Sequence, residues 1–307
     1  MSFSNDVRQE VCAYISDKDK RYACLYGMLL FCRKLTDGHI CFQTGSSTSA
    51  NKFCELFKEI IGCEISMKQQ ERKSGKTMYT YETKDTELIA KVFEKYRISS
   101  ADERKIDSEI ISNNSLGVFT AGVFLSCGSV NDPEKKYHLE FAANDENLAV
   151  QLKELLGNIG VNAKTVPRRS QHIVYIKDSE SIEDTLTFIG AQQATLELIN
   201  VKILKDMRNR VNRSINCDNA NIDKMVKAAE KQLADIMLIV ETDGLDSLSP
   251  ELREVAELRL EDGMMSLKEI GESIEVPISR SGVNHRFQKI SEIAEEIRNR
   301  SKENESC

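Results

Sequence analysis

The sequence predicts an α+β protein in which two copies of an α-β-α-β-β-α unit are followed by an all-α C-terminal domain. Two observations indicate this architecture. A pattern of elements recurs after about 95 residues, and three helices with distinct start signals follow a linker at 241–250. The predicted domains are 1–110 for the first copy with an N-terminal helix, 111–213 for the second copy, 214–248 for a helical connector and linker, and 249–307 for the C-terminal domain.

Length and composition are those of a folded protein with more than one domain. The 307 residues are 40% hydrophobic and 30% charged, and 42 basic against 49 acidic side chains give a formal net charge of −7. The acidic total argues against a protein that coats DNA uniformly, although local basic patches can still bind nucleic acid. The longest apolar run, 23–32, is too short for a membrane span of about 20 residues. The charged N-terminus does not resemble a signal peptide, so a cytoplasmic location is expected.

The cysteine and histidine pattern predicts neither a metal site nor a cofactor. Nine cysteines, odd in number and irregularly spaced without a CxxC pair, are expected to be reduced and mostly buried thiols. A zinc site built from His39, Cys41 and nearby cysteines remains an alternative, although the ligand spacing of known zinc motifs is missing.

Each copy contains a helix that is apolar on almost every side. Residues 24–32 read CLYGMLLFC and residues 118–127 read VFTAGVFLSC, so that Gly27 matches Gly122 and Cys32 matches Cys127. A helix that is apolar all round must be buried all round. The central glycine lets another backbone approach closely.

The remaining elements of the two copies also correspond, as a strand, an amphipathic helix ending in glycine, a hairpin with a basic tip and a short helix. The predicted ranges are 39–43, 50–62, 64–68, 77–81 and 86–96 in the first copy, and 137–141, 146–160, 162–166, 172–176 and 181–189 in the second. Two further helical stretches are predicted at 191–213 and 219–240.

The C-terminal domain shows three helix starts. Ser249 followed by Pro250 begins the first helix. Ser266 with Glu269 forms a capping-box pattern at the start of the second, and Ser279 caps the third. One face of the third helix is apolar at helical spacing, through Val283, Phe287, Ile290, Ala294 and Ile297.

Three helices in this pattern are typical of a helix-turn-helix, here about Ser266 to Asn299, whose last helix reads bases through its N-terminal residues. The face opposite the apolar one is polar and holds Arg280, Ser281, Asn284, His285 and Gln288, flanked by Arg286 and Lys289. Residues 279–289 contain three basic residues and no acid, whereas 249–307 carries a net charge of −4. A three-helix bundle that binds protein remains the alternative. The connection at 275–278 is longer than the usual tight turn.

Three stretches resemble the WhiA family of bacterial DNA-binding regulators, namely 122–141, 204–224 and 248–297. The resemblance spans nearly the whole chain. The N-terminal part of that family is similar to LAGLIDADG homing endonucleases, which agrees with the two copies. The resemblance implies a transcription factor of Gram-positive bacteria, linked to sporulation in actinomycetes and to cell division and chromosome segregation in firmicutes.

The same resemblance implies that nuclease activity is absent. In LAGLIDADG nucleases two buried helices pack side by side, and an acid at the end of each holds divalent metal at the scissile phosphates. Here Cys32 and Cys127 occupy those positions, and a thiol is a poor Mg²⁺ ligand. Asp37 and Asp132 could substitute, but both lie in turn signals, which favour a structural role.

Basic residues at equivalent points of the two hairpins are candidates for auxiliary DNA contacts. The net charge is +3 over 67–80, +4 over 163–177 and +4 over the helical stretch 200–231. The candidates are Lys68, Arg72, Lys73, Lys76, Lys164, Arg168, Arg169, Arg208, Arg210 and Arg213. Solvated hairpin tips, and salt bridges made by the last three arginines, remain the alternatives.

The sequence therefore predicts a nucleoid-associated regulator that binds double-stranded DNA and is not an enzyme. The residues expected near bases are Ser279, Arg280, Ser281, Asn284 and His285, with Arg286 and Lys289 on phosphates. Gln288 is a further expected DNA contact. Other transcription or cell-division proteins are candidate partners. The alternative is a protein-interaction adaptor in cell division whose DNA binding is incidental.

Overall fold

A computed structural model describes residues 2–72, 75, 77–98, 104–111 and 115–305 of the chain. Packing divides it into an N-terminal unit, residues 1–206, and a C-terminal unit, residues 207–307. This division falls earlier than the predicted boundary after residue 213. None of the described helices combines the length and the apolar character that crossing a lipid bilayer would require.

The N-terminal unit contains the two predicted copies. The first comprises α1 (Phe3–Tyr14), α2 (Lys18–Leu30), β1 (Lys34–Thr36), β2 (His39–Thr44), α3 (Ser47–Ile61), β3 (Lys68–Glu71), β4 (Thr77–Thr83) and α4 (Thr86–Lys95). The second comprises α5 (Leu116–Cys127), β5 (Gly128–Val130), β6 (Leu139–Ala143), α6 (Glu146–Asn158), β7 (Lys164–Arg168), β8 (Gln171–Ile176) and α7 (Ser179–Phe188). The predicted α+β class and the repeat are confirmed.

Each copy has one strand more than the sequence predicted. The antiparallel sheets have the orders β1-β2-β4-β3 and β5-β6-β8-β7. Strands β1 and β5 contain three residues each; β5 directly follows α5, and three residues separate the end of α2 from β1. Three residues are too few to show an alternating pattern, so sequence periodicity could not reveal these edge strands.

The two apolar helices α2 and α5 pack against each other at the centre of the N-terminal unit. A Cβ atom added to Gly27 would lie 2.3 Å from the Phe119 carbonyl oxygen, and one added to Gly122 would lie 2.1 Å from the Cys24 carbonyl oxygen. Both glycines are therefore required for the close approach of the two backbones. Around this pair, Phe42 stacks on Phe53 with ring centroids 4.0 Å apart.

Local caps fix the starts of the amphipathic helices. Asp145 Oδ1 accepts a hydrogen bond from Leu148 N at 3.0 Å at the start of α6, and Asp178 does the same for α7. Gly62 ends α3 in the left-handed conformation with φ of 75°. These signals are local, which explains why the sequence places the helices within a few residues of their observed ends.

The predicted stretches 191–213 and 219–240 form one continuous helix, α8 (Gln192–Thr242). Residues 214–218, Ser-Ile-Asn-Cys-Asp, include neither glycine nor proline, so helix on both sides propagates through them. The break between two helices that the sequence predicted at 214–218 is absent.

The C-terminal unit is all-α. After α8 come a 3-10 turn (Leu245–Ser247), α9 (Pro250–Glu261), α10 (Leu267–Ser273) and α11 (Arg280–Glu305). The three predicted helices are thus confirmed. Ile236 and Ile239 of α8 are fully buried in the same core as Val283 and Ile290 of α11. The end of the predicted connector is therefore part of this core.

Candidate nucleic-acid interface

Helix α11 is fixed by its cap and by its apolar face. Ser279 Oγ accepts a hydrogen bond from Gly282 N at 3.3 Å. The predicted core face is at most 3% exposed, at Val283, Phe287, Ile290, Ala294 and Ile297. Burial of this face fixes the rotation of the helix, so the opposite, polar face is presented to solvent.

Seven of the eight residues predicted to contact DNA are exposed, namely Ser279, Arg280, Ser281, Asn284, His285, Gln288 and Lys289. Arg286 differs, because only 17% of its side chain is exposed. Its Nη1 lies 3.6 Å from Glu254 Oε2 and donates a hydrogen bond to the Glu251 carbonyl oxygen at 3.3 Å. Arg286 therefore holds α11 against α9, a contact between positions too far apart in the sequence for periodicity to show.

The second helix and its long connection are held by two local features. The capping box is complete: Ser266 Oγ accepts from Glu269 N at 3.2 Å, and Glu269 Oε2 accepts from Ser266 N at 2.8 Å. The hydrogen bond from Ser266 N holds the pKa of the Glu269 carboxyl below its ordinary value. A Cβ on Gly271 would lie 2.5 Å from the Ile278 carbonyl oxygen, so this glycine lets the long connection pack back on α10.

Arg259 is a buried cation that sequence reasoning missed. It is 3% exposed, and its Nη1 donates to the Gly263 and Met265 carbonyl oxygens at 3.1 and 2.6 Å. Its guanidinium lies 5.4 Å from the centroid of the Phe287 ring. Arg259 therefore joins the α9–α10 connection to the core side of α11. Arginine is mostly exposed in proteins, and its neighbours here gave no signal of burial.

The hairpin candidates lie on the two sheets of the N-terminal unit. Lys68, Arg72, Lys164, Arg168 and Arg169 are all exposed, whereas Lys73 and Lys76 lie outside the described residues. On α8, Arg208, Arg210 and Arg213 are also exposed.

The second hairpin is less basic in the fold than in the sequence window. Arg168 Nη2 and Nη1 lie 3.1 and 3.3 Å from the two carboxylate oxygens of Glu140, on β6. The window 163–177 contains no acid, but antiparallel pairing of β6 with β8 and of β8 with β7 brings Glu140 to the basic strand. Arg168 and its neighbour His138 hold the pKa of Glu140 low, against the effect of burial.

Cys32 lies two residues after the end of α2, and Cys127 is the last residue of α5. Cys32 Sγ donates to the Lys34 carbonyl oxygen at 3.0 Å, and burial raises the pKa of both Cys32 and Cys127 to about 12. Both are therefore neutral thiols near pH 7, a form with little affinity for metal.

The two nearby aspartates have the turn roles that the sequence favoured. Asp37 is exposed in the turn between β1 and β2, and Asp132 Oδ1 accepts from Glu134 N at 2.9 Å. His39 Nε2 lies 2.6 Å from Glu82 Oε1. Within the described residues there is no cluster of three or more His, Cys, Asp or Glu side chains placed to hold a metal ion.

A polar cleft of about 260 Å³ lies beside these helix ends. Its lining includes Arg33, Gln43, Asn144 and Gln171, and none of the described lining residues is a carboxylate. Arg33 Nη1 donates to Gln43 Oε1 at 2.5 Å. The cleft therefore offers an arginine and amides to an anion, and the sequence did not single out Arg33.

Thiol reactivity tests the raised pKa of Cys32, which is buried, and of Cys127, which is partly exposed. At pH 8 we expect iodoacetamide to label Cys217, which is exposed, within minutes, and to leave Cys32 and Cys127 unmodified. A pKa of about 12 leaves on the order of one thiol in ten thousand as thiolate at that pH, and the thiolate is the nucleophile. Peptide mass spectrometry with and without denaturant measures this. Labelling of Cys32 in the folded protein at the rate of Cys217 would contradict it.

Comparisons with known proteins agree with this arrangement. The family model of the WhiA LAGLIDADG-like domain matches residues 116–208, and that of the WhiA C-terminal HTH domain matches residues 211–294. A protein of Clostridium tetani described as a probable cell division protein WhiA is 37% identical over 312 residues, covering 97% of this chain and 98% of that protein. A protein of Thermoanaerobacter sp. with the same description is 35% identical, covering 98% and 99%.

A solved structure shows the same fold. The crystal structure of full-length DUF199/WhiA from Thermatoga maritima has a TM-score of 0.57 and 24% identity, and covers 96% of this chain and 99% of that one. Two matching family models and relatives above 30% identity along almost the entire length leave one conclusion: the chain belongs to the WhiA family.

Proposed function

We propose that this protein is a sequence-specific DNA-binding regulator of transcription, without nuclease activity, that acts in cell division and chromosome segregation or in sporulation. The observation that carries the proposal is the start of α11, where polar and basic side chains are exposed on a helix anchored by a buried face. The description of the relatives as probable cell division proteins supports a role in cell division. A cytoplasmic, nucleoid-associated location follows from the proposed DNA partner.

The proposed roles follow position on α11. Side chains at the N-terminal end read base edges, namely Ser279, Arg280, Ser281, Asn284 and His285, and Gln288 is a further DNA contact. Lys289 contacts phosphate. Arg286 is also assigned to phosphate, and to do so it must exchange its contact with Glu254 for the DNA backbone. Base contacts supply specificity, whereas phosphate contacts supply affinity and its salt dependence.

Two substitutions separate these roles. We expect Arg280→Ala to weaken binding to the preferred site by about 1–3 kcal/mol and to relax sequence preference, as for an arginine bidentate to guanine. Lys289→Ala should weaken all sequences alike and reduce the salt dependence by about one phosphate contact. Fluorescence anisotropy on a selected site and on random duplexes, over rising salt, measures both. Equal losses for both variants on both duplexes would contradict the assignment.

The hairpin cations and the α8 arginines are proposed as auxiliary phosphate contacts. Lys68, Arg72, Lys164, Arg168 and Arg169 are exposed on or beside β3 and β7, which occupy equivalent places in the two sheets. Arg208, Arg210 and Arg213 are exposed on α8. Arg168 already has Glu140 as a partner, so Lys164 and Arg169 are expected to contribute more.

Absence of nuclease activity is tested directly. Purified protein incubated with supercoiled plasmid and Mg²⁺ or Mn²⁺ is expected to leave the plasmid intact, because thiols replace the metal-binding acids. Agarose electrophoresis measures nicking. Cleavage that Asp37→Ala or Asp132→Ala abolishes would contradict the proposal and restore those residues as metal ligands.

A protein-interaction adaptor is the second candidate function, and α8 provides the observation that favours it. An exposed apolar row runs along one side of this helix, through Leu204, Met207, Val211, Ile215 and Ile222, each about half exposed. Exposed apolar rows on a helix commonly mark a protein contact. A gel-shift series over rising salt distinguishes the two candidates, because an adaptor should show no site preference.

A further inference from the structure

A cavity of about 700 Å³ lies within the C-terminal unit, between α8 and the starts of α10 and α11. It is lined by Asn221, Ile222, Lys224, Met225, Ala228, Ala229, Gln232, Arg259, Ser266, Leu267, Lys268, Arg280 and Asn284. Its volume falls in the range of small-molecule sites. None of the described lining residues is acidic, although residues 207–307 contain twenty acidic against fifteen basic residues. The cavity therefore selects for an anion.

Two residues that line the cavity each carry a buried polar atom for which the described part of the chain supplies no hydrogen-bond partner. These atoms are Arg259 Nε, a donor, and Gln232 Oε1, an acceptor. Arg259 is 3% exposed, and its Nη1 is already bonded to two backbone carbonyls, so the side chain cannot turn away to find water. Buried polar groups are nearly always paired in folded proteins. Both atoms are closed to a molecule the size of water as they stand, so a ligand that presents an acceptor beside a donor reaches them only when a neighbouring side chain moves.

The rest of the cavity is both apolar and cationic. Ile222 and Met225 of α8 are 52% and 42% exposed, which leaves an apolar surface open to a ligand. Lys224 and Arg280 are exposed cations, and Lys268 is a third, although its Nζ lies 3.7 Å from Glu272 Oε1. An apolar floor with nearby cations suits a molecule that has a flat heterocycle at one end and phosphates at the other.

We propose that this cavity binds a nucleotide. Its base lies on Ile222 and Met225 with its hydrogen-bonding edge toward Gln232 and Arg259, and its phosphates meet Lys224, Lys268 and Arg280. Arg280 and Asn284 also belong to the proposed base-reading surface. A nucleotide in the cavity therefore lowers the affinity of the protein for DNA. This effect on DNA binding rests on the proposed function.

The alternative occupant is a phosphate of the DNA backbone. The three exposed cations would suit it equally well, since phosphate binding is largely electrostatic. A backbone phosphate, however, uses neither an apolar floor nor a donor–acceptor pair. The unpaired atoms of Gln232 and Arg259 therefore favour the nucleotide.

Isothermal titration calorimetry on the full chain tests the cavity without DNA. The probes are the four ribonucleoside triphosphates, with inorganic triphosphate and adenosine as controls. We expect at least one nucleotide to bind at least tenfold more tightly than either control. Failure of all four to bind, or equal binding by inorganic triphosphate, overturns the proposal, and the second result assigns the cavity to backbone phosphate.

Matched variants on α8 locate the site. Ala228→Trp fills the cavity and should abolish nucleotide binding, whereas Ala220→Trp, which makes the same change outside the lining, should preserve it. Lys224→Gln should weaken binding about tenfold, and Lys227→Gln should not change it. Circular dichroism confirms that each variant is folded. Equal effects within either matched pair overturn the placement.

A competition experiment tests whether a nucleotide in the cavity lowers the affinity for DNA. Anisotropy of a labelled duplex should fall when the nucleotide identified by calorimetry is added to the wild-type complex, and should not change for Ala228→Trp. Unchanged anisotropy for the wild-type complex would show that the nucleotide does not compete with DNA. A protein that binds nucleotide but no DNA would contradict the proposed function and leave the cavity assignment standing.

Discussion

Gly122→Val is expected to destabilise the N-terminal unit by at least about 3 kcal/mol. A Cβ at this position would lie 2.1 Å from the Cys24 carbonyl oxygen, and the obstacle is backbone rather than a side chain that could rotate. Overpacking a core costs about 1–3 kcal/mol when side chains can adjust. Here α2 and α5 must move apart, which opens contacts along the full length of the central helix pair.

Gly157→Ala is the matched control. Gly157 also lies within a helix, α6, but apart from its chain neighbours and the backbone of that helix no atom of the described residues lies within 4 Å of its added Cβ. Alanine there should be neutral or stabilising by up to about 1 kcal/mol, because it favours helix over glycine. The chain contains no tryptophan, so urea unfolding is followed by far-ultraviolet circular dichroism. Hydrogen exchange of α2 and α5 peptides localises the effect, and equal midpoints for both variants would contradict the prediction.

Asp235→Ala is expected to destabilise the C-terminal unit by about 3 kcal/mol. Asp235 lies on α8 and is completely buried, and its carboxylate accepts hydrogen bonds from Ser291 Oγ and Arg298 Nη2, both at 2.5 Å. Removing one partner of a buried ion pair costs about 3–5 kcal/mol. The Arg298 side chain is 41% exposed and can regain water, which places the cost at the lower end.

Asp243→Ala provides the comparison, because Asp243 directly follows the end of α8 and also pairs with an arginine of α11. Asp243 Oδ2 lies 3.2 Å from Arg300 Nη2, and both side chains are substantially exposed. Exposed pairs contribute about 0–1 kcal/mol. Urea midpoints of the two variants, with hydrogen exchange of α11 peptides, measure the difference. A loss at Asp243 as large as that at Asp235 would show that burial is not the cause.

Structural features that depend on residues close together in the chain could be predicted from the sequence. The capping box of Ser266 and Glu269 was predicted from a four-residue pattern, and both hydrogen bonds are present. The buried face of α11 followed from helical spacing, and all of its members are buried. The matching Gly27 and Gly122 indicated a close backbone approach, which the packing of α2 on α5 confirms.

Features formed by residues distant in the sequence could not be read in this way. The partner of Arg168 is Glu140 on another strand, and the partner of Arg286 is Glu254 on another helix. Each arginine seemed available for phosphate when only its neighbours in the chain were considered. Two of the predicted DNA contacts thus already have a partner within the fold.

The sequence by itself determined the repeat, the helix-turn-helix and the loss of the acids at Cys32 and Cys127, because periodicity, caps and residue identity are properties of short segments. Only the tertiary structure decided which charges are paired, why Arg259 is buried, and that α8 and the start of α11 border a cavity whose described lining residues include no acid. The physical reason is that electrostatic pairing and burial depend on distance in space. Folding sets that distance independently of separation along the chain.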